Sequence, residues 1–510
     1  MRGFLFLLSE KPVIFIFYRK KAMTIDEILA LDDFKKAVDI LTKSSRGEHN
    51  REEYVKEYNG SRTRRAESVD NREDKEVDVF SETETTTNED GEKEPKKIGT
   101  KILKVAKVHT NIPKRIVRIA SAFLFGGEMN ISFTEDSDGA QLFKEVFDDK
   151  LKMKSVFNKL ARIVKVETKG AIIFYPRPGK DDEGNSAVEI RAKILSLKNG
   201  DFFPHFDEYG DMDAFTRTYK SVHSDGEERD FLWIQTATHE YLYVDISGDW
   251  KIVDKYPQPN LAEKITVVYA EQDEPEWEDS ASSIDYYENR LSRLIDTNDY
   301  FGDPILKNYG ESSLPSKNTV GKQISYPIKV DDESGKEYHG DAEYLVWQQS
   351  IDSIKLELES LRNEIYSGSS TPDLSFENMK SIGSLSGSAI ELMFIEAFVK
   401  AAEGMEIFGP VVQRSASVVR ALMLKVTNVE YKEDLKKAKP KITFSTVLPD
   451  DLKAIVDVLV KANGDKPINS QETITARSPF TKDAQKEIEQ IRAEVAEESN
   501  RNQMIGLNID

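Results

Sequence analysis

The strongest constraint in the sequence is a spacing. In LVWQQSIDSIKLELESLRNEIYSG, Trp347, Ile351, Ile354, Leu358, Leu361 and Ile365 fall 4, 3, 4, 3 and 4 residues apart. That is a heptad seam, the pattern of a helix that packs one narrow stripe on another helix. At a rise of about 1.5 Å per residue the seam is about 27 Å long. A second helix stands close by in SSIDYYENRLSRLIDTND, where Ile284, Tyr287, Leu291, Leu294 and Ile295 share a face. Between the two lies an excursion of about forty residues, rich in turn formers and short strand signals. Two helices therefore bracket a small β-like module. An ordinary helical hairpin has the same pattern, so the seam alone assigns no function.

The chain then runs through SSTPDLSFENMKSIGSLSGS into a long helix pattern from about Ser388 to Lys425. Gly404 and the pair Gly409-Pro410 interrupt that pattern. Proline removes a backbone donor and crowds the preceding turn, so a kink is expected at Gly409 and Pro410. The glycines and serines of SIGSLSGS invite comparison with a phosphate cradle. No Gly-Lys-Ser/Thr ends the stretch and no buried strand precedes it, so the better reading is a flexible turn. A strand, PKITFS, and two helical stretches with Pro449-Asp450 and Ser470 at their entries complete the chain.

The first half mixes helices with antiparallel strands. Thr24 and Glu27 form a capping box before a helix that runs to about Thr42. Residues 1–22 carry two short apolar runs split by Glu10, Lys11 and Pro12, each too short for a membrane span. No small-residue cleavage site follows, so Met23 is the expected functional start and a signal peptide the rival reading. From Ser44 to about Lys97 the chain is charge-dense and poor in large apolar residues, which predicts a mobile segment. Ile112, Ile116, Ile119, Ala120 and Phe123 then repeat at helical spacing, with Gly126-Gly127 as the stop. GAIIFYP, SAVEIRAKIL, AFTRTYKSV, FLWIQTATHEYLYVDI and KITVVYA read as strands separated by Gly, Asp and Pro turns.

Composition narrows the chemistry. The 510 residues carry a formal charge of −20, which repels DNA phosphates over most of the surface without excluding DNA that passes through. There is no cysteine, so disulfides, thiolate zinc sites and cysteine nucleophiles are impossible. Six histidines without HExxH spacing give a metal site little support. No serine nucleophile elbow occurs. Asp331-Asp332-Glu333 sits among turn formers and reads as a solvated loop rather than a two-metal site. Nothing supports catalysis, a cofactor or a metal.

The order of parts is more specific than any one motif. NIPKRIVRIASAFLFGGEMNISF, RIVKVETKGAIIFYP, ENRLSRLIDTNDYFGDPIL, TPDLSFENM followed by LSGSAIELMF, and VLPDDLKAIVDVLVKANGDKPINSQETI followed by KDAQKEIEQIRAE come in the order found in the portal proteins of tailed bacteriophages. The chain resembles that family over about Lys101 to Glu498. The resemblance implies an α+β, mainly helical fold with wing, stem, clip and crown regions. Carried over, it divides the chain into an N-terminal segment and helix (1–43), an acidic mobile insertion (44–100), a wing (101–282), a first stem helix (283–302) and a clip (303–343). A second stem helix (344–366), a tunnel loop (367–387), a long kinked helix with a wing strand (388–448) and a crown with tail (449–510) follow.

It also implies a dodecameric homo-oligomeric ring at one capsid vertex of the virion, assembled in the host cytoplasm. Double-stranded DNA passes through its channel without sequence specificity. The implied partners are the terminase large subunit, a head-completion or adaptor protein, and the major capsid and scaffolding proteins; no membrane is involved. In the tunnel loop Asn378, Met379, Lys380, Ser381 and Ser384 are expected nearest the channel axis. Two rivals remain at this stage: a connector-like or scaffold-like structural ring, and a metal-dependent nuclease using Asp331 or Asp332.

Overall fold

The computed structural model describes residues 23–43, 50–87, 93–135, 137–180, 186–301, 305–309, 329–330, 337–338, 341–345, 351–380, 387–445, 458–462, 468–478, 480–481 and 484–506. Its elements are, in order, α1 (Ile25–Leu29), α2 (Phe34–Leu41), α3 (Arg51–Asn59), β1 (Lys75–Thr87), β2 (Lys93–Leu103), α4 (Ile112–Phe125), β3 (Met129–Phe133), α5 (Asp138–Lys144) and α6 (Met153–Glu167). Then come β4 (Lys169–Lys180), β5 (Ser186–Leu195), β6 (Asp201–Phe206), β7 (Met212–Val222), β8 (Glu228–Thr236), β9 (His239–Ile246), β10 (Asp249–Ile252), β11 (Gln258–Pro259) and β12 (Val267–Glu271). The remainder is α7 (Ala281–Phe301), β13 (Ile305–Tyr309), β14 (Lys329–Val330), β15 (Glu337–Tyr338), β16 (Asp341–Leu345), α8 (Ile351–Gly368), α9 (Phe376–Met379), α10 (Gly387–Met393), α11 (Ile395–Leu422), α12 (Lys432–Lys437) and β17 (Pro440–Phe444). Helices Gln471–Arg477 and Ala484–Gly506 end the described chain. The class is α+β, as expected from sequence.

The main core forms where helices meet a three-stranded sheet of order β12-β4-β5. Phe125, Phe143, Phe147, Phe157, Phe174 and Phe408 fill it. Edge contacts such as Phe125–Phe408, with ring centroids 5.6 Å apart, suit the aromatic quadrupole. The sheet of order β10-β9-β8-β7-β6, with β11 on β9, packs against the first through Leu195, Phe202, Phe215 and Val267. α1 and α2 bury Ile25, Ile28, Ala37 and Leu41 on Ala214, Leu232 and Ile234. The Thr24–Glu27 capping box that starts α1 is formed on both sides. Pro204, which cannot donate to a ladder, lies on β6 at a sheet edge, where that costs least.

Several sequence expectations change. The stretch 44–100, expected to be mobile, is in part ordered: α3 and the turn at Val69–Asn71 are docked on the body, and β1 pairs with β2 over Lys75–Leu103. Arginines explain the difference. Arg51 is buried and reaches Glu167 and Asp201, each at 2.7 Å. Composition scores such charges as solvated; geometry pairs them.

The Gly126-Gly127 stop also has another cause. Gly126 keeps right-handed helical angles. A Cβ on Gly127 would lie 1.9 Å from the Ser445 carbonyl oxygen, because β17 returns alongside β3 there. The long helix expected from Ser388 breaks instead at Phe394, between α10 and α11. Gly409 and Pro410 lie inside one continuous helix, α11. The second stem helix, expected from 344, is described from Ile351, since Tyr344 and Leu345 are strand residues paired with Leu306 and Ile305.

Candidate functional site

α7 and α8 pack against each other. Ile365 is fully buried, clustered with Ile112, Ile116, Trp277 and Ile284. Ile354, Leu358 and Leu361 are half-buried in the single chain, as are Tyr287, Leu291 and Leu294 of α7. Ile295, placed on that face from sequence, is exposed. The Arg290 Nε donates to Glu357 Oε1 at 2.7 Å across the pair. Ile351 opens α8, and Trp347 lies outside the described residues.

α7 has a second buried side, and it is polar. Asp285, Glu288 and Ser292 are closed off from solvent. An extended strap covers them. The backbone N–H groups of Ala106, Val108 and Thr110 donate to Asp296 (2.7 Å), Ser292 (2.9 Å) and Glu288 (2.5 Å). Two residues of extended chain advance about 6.6 Å, and four residues of helix about 6 Å, so every second amide meets every fourth side chain. Arg62 pairs with Glu288 and Arg72 with Asp296, each at 2.6 Å. The periodicity at 285, 288, 292 and 296 was visible in the sequence, but acids at helical spacing usually mark a solvated face.

Asp285 is the exception on this side. Both its carboxyl oxygens are buried without a hydrogen bond, and the Arg65 Nε stands 3.9 Å away. Burial pushes its pKa up from the ordinary 3.8 to about 7, against the pull of Arg62 and Arg65.

Beyond α8 the chain enters the segment expected to be the tunnel loop. Asp373 holds its base: it accepts from Arg115 of α4 (3.0 Å), Arg362 of α8 (2.7 Å) and the Ser375 backbone N–H (3.0 Å). Lys400 of α11 donates to the Ser369 carbonyl at 2.6 Å, just past the end of α8, and pairs with Glu276 at 3.0 Å. A cation there suits the free carbonyls at a helix C-terminus. The entry limb of the loop is thus tied to the body from α4, α8 and α11.

Asn378 and Met379 lie on α9; Met379 is half-buried and Lys380 exposed. Ser381 and Ser384 fall outside the described residues. The sequence reading missed Phe376, which is 79% exposed, with the Lys380 ammonium 5.6 Å from its ring centroid. A lone aromatic one residue after Ser375, in an otherwise polar stretch, was the available signal.

Among the described residues no group of three or more His, Asp or Glu is placed to hold a metal, and no helix is long and apolar enough to cross a membrane. Asp331 and Asp332 lie outside the described residues.

Residues 100–501 match the model of the family described as phage portal protein, SPP1 Gp6-like, so the chain belongs to that family. The portal protein of Bacillus phage SPP1 is 23% identical over 356 residues, covering 62% of this chain and 68% of that one. Two solved structures are also similar: the neck of an empty GTA particle (TM-score 0.37, 9% identity) and the virion of a native gene transfer agent particle (TM-score 0.33, 10% identity). Each alignment covers 71% of this chain and 88% of the other.

Proposed function

We propose that this portal protein forms a dodecameric ring at one vertex of a phage capsid, through which double-stranded DNA is packaged and later ejected. The family match over residues 100–501 carries the reading. In it α7 and α8 are the stem, 303–343 the clip, 367–387 the tunnel loop, 101–282 the wing and 449–510 the crown. The clip docks the terminase large subunit during packaging and a head-completion or adaptor protein afterwards. Capsid and scaffolding proteins surround the wing, and assembly takes place in the host cytoplasm.

Charge supports the reading. A duplex must slide, and a channel that neutralised many phosphates would release counterions and grip it. Twelve copies at −20 each amount to about −240 before counterions. The half-buried stripe of Ile354, Leu358 and Leu361 leaves apolar surface on α8 for a neighbouring copy.

Negative-stain imaging of purified protein tests the ring directly. Closed rings with an axial opening of duplex width are expected; monomers, or rings without an opening, would refute it. Shortening Ser381–Ser386 should leave rings intact and impair packaging, and normal packaging would remove the loop from the mechanism.

A further inference from the structure

Among the described residues the β1–β2 hairpin pairs with no other strand. The two strands form a sheet of their own, paired antiparallel from Lys75↔Leu103 to Thr87↔Lys93. Among the described residues neither strand makes more than slight contact with any other element. Phe80, Ile98, Ile102 and Leu103 are exposed. A ribbon of two strands is marginal in water, and unpaired strand edges are templates for further pairing. The root is fixed, however. The Val105 N–H donates to Asp74 Oδ1 at 3.1 Å, and Arg72 pairs with Asp296 of α7. The hairpin is therefore presented from the stem helix in a set direction.

Its two edges carry opposite charge. β1 reads KEVDVFSETETTT, with four acids and one lysine. β2 reads KEPKKIGTKIL, with four lysines and one acid. We propose that hairpins of neighbouring copies pair edge to edge, the outer edge of β1 in one copy against the outer edge of β2 in the next. Charge selects this arrangement. A two-fold pairing would set β1 on β1 or β2 on β2, placing like charges together. A head-to-tail pairing sets acid beside base at every junction, and a heterologous contact of that kind closes into a ring. The internal pairs Lys97–Asp78 (2.6 Å) and Lys96–Glu84 (2.9 Å) are half-exposed. Exposed pairs are worth under about 1 kcal/mol, so they exchange readily with a neighbour. Pro95 lacks a donor, which places the pairing on Lys96–Leu103 rather than at the tip. Nearly all of the hairpin lies before residue 100, ahead of the family match.

The inference rests on the ring reading above, and the test separates the two. Two full-length variants are made. Lys96→Glu, Lys97→Glu, Lys101→Glu makes both strands acidic; Glu76→Lys, Asp78→Lys, Glu84→Lys makes both basic. Assembly is followed by mass photometry and negative stain at low salt, with thermal melting as the fold control. Wild-type protein that forms no rings refutes the portal reading itself. If wild type forms rings, each variant alone should need at least about tenfold more protein to assemble. An equimolar mixture should recover the wild-type midpoint, because acidic and basic hairpins then alternate. Mixing cannot relieve repulsion inside one hairpin. Variants that assemble like wild type, or a mixture no better than its components, would overturn the proposal.

Discussion

Replacing Asp285 by asparagine should make the protein more stable above neutral pH and change it little below pH 4. In the unfolded chain this carboxyl loses its proton near the ordinary 3.8; in the folded chain burial holds the proton to about 7. Between those values the folded state binds more protons, so stability is fully present below about pH 4 and falls as pH rises through 7. The slope approaches about 1.4 kcal/mol per pH unit, and the total about 4 kcal/mol if fully expressed. The pull of Arg62 and Arg65 is already contained in that shift; water reaching the carboxylate once it ionises lowers the cost further, so roughly half that loss is the expected size. The assay is urea unfolding of both proteins at pH 4, 6 and 8, reading the difference between them. Asp285→Asn should leave the pH 4 values close together and gain about 2 kcal/mol by pH 8. Parallel curves at all three pH values, or a variant less stable at pH 8, would show that the carboxylate is ionised and paired in the folded protein.

Other outcomes follow from the same geometry. His205 is pushed down to about 4 by burial, with Nε2 3.0 Å from Thr216 Oγ1. Its sign is opposite: stability should fall as pH drops from about 6.5 toward 4, and His205→Gln should flatten that limb of the urea midpoints. Gly127→Ala sets a methyl against the Ser445 carbonyl and should cost about 3 kcal/mol by denaturant unfolding, whereas Gly409→Ala, with nothing within 4 Å of its Cβ, should be neutral or stabilising. Leu358→Asp, at a half-buried seam position, should yield folded protein by circular dichroism that no longer assembles into rings; normal rings would remove the seam from the interface.

The legible parts of this chain were those with local periodicity. The seam predicted α8, strand signals marked β4, β5 and β7, and the capping box placed α1; the stretch read as one strand over 231–246 is two, β8 and β9, folded back on each other. The Asn378–Lys380 stretch was found as a polar segment between helices, but the clamp at its base was not. Asp373 becomes a clamp only because Arg115, 258 residues earlier in sequence, folds beside Arg362. The N-terminal acidic stretch was misread for the same reason. Arg51 meets Asp201 across 150 residues, and composition records the charge without the partner.

By itself the sequence determined the strongly periodic helices and strands, among them α4, α8 and β4, the order of parts that marks a portal protein, and the absence of cysteine chemistry. Those properties depend on neighbours a few residues apart, or on residue types alone. Only the tertiary structure decided that a strap of backbone amides caps the acids of α7, that Asp285 is buried with no hydrogen bond, and that a charged hairpin stands clear of the body. Each of these depends on long-range contacts, or on their absence. The energy of a buried charge is set by its partners in space, and sequence spacing does not encode them.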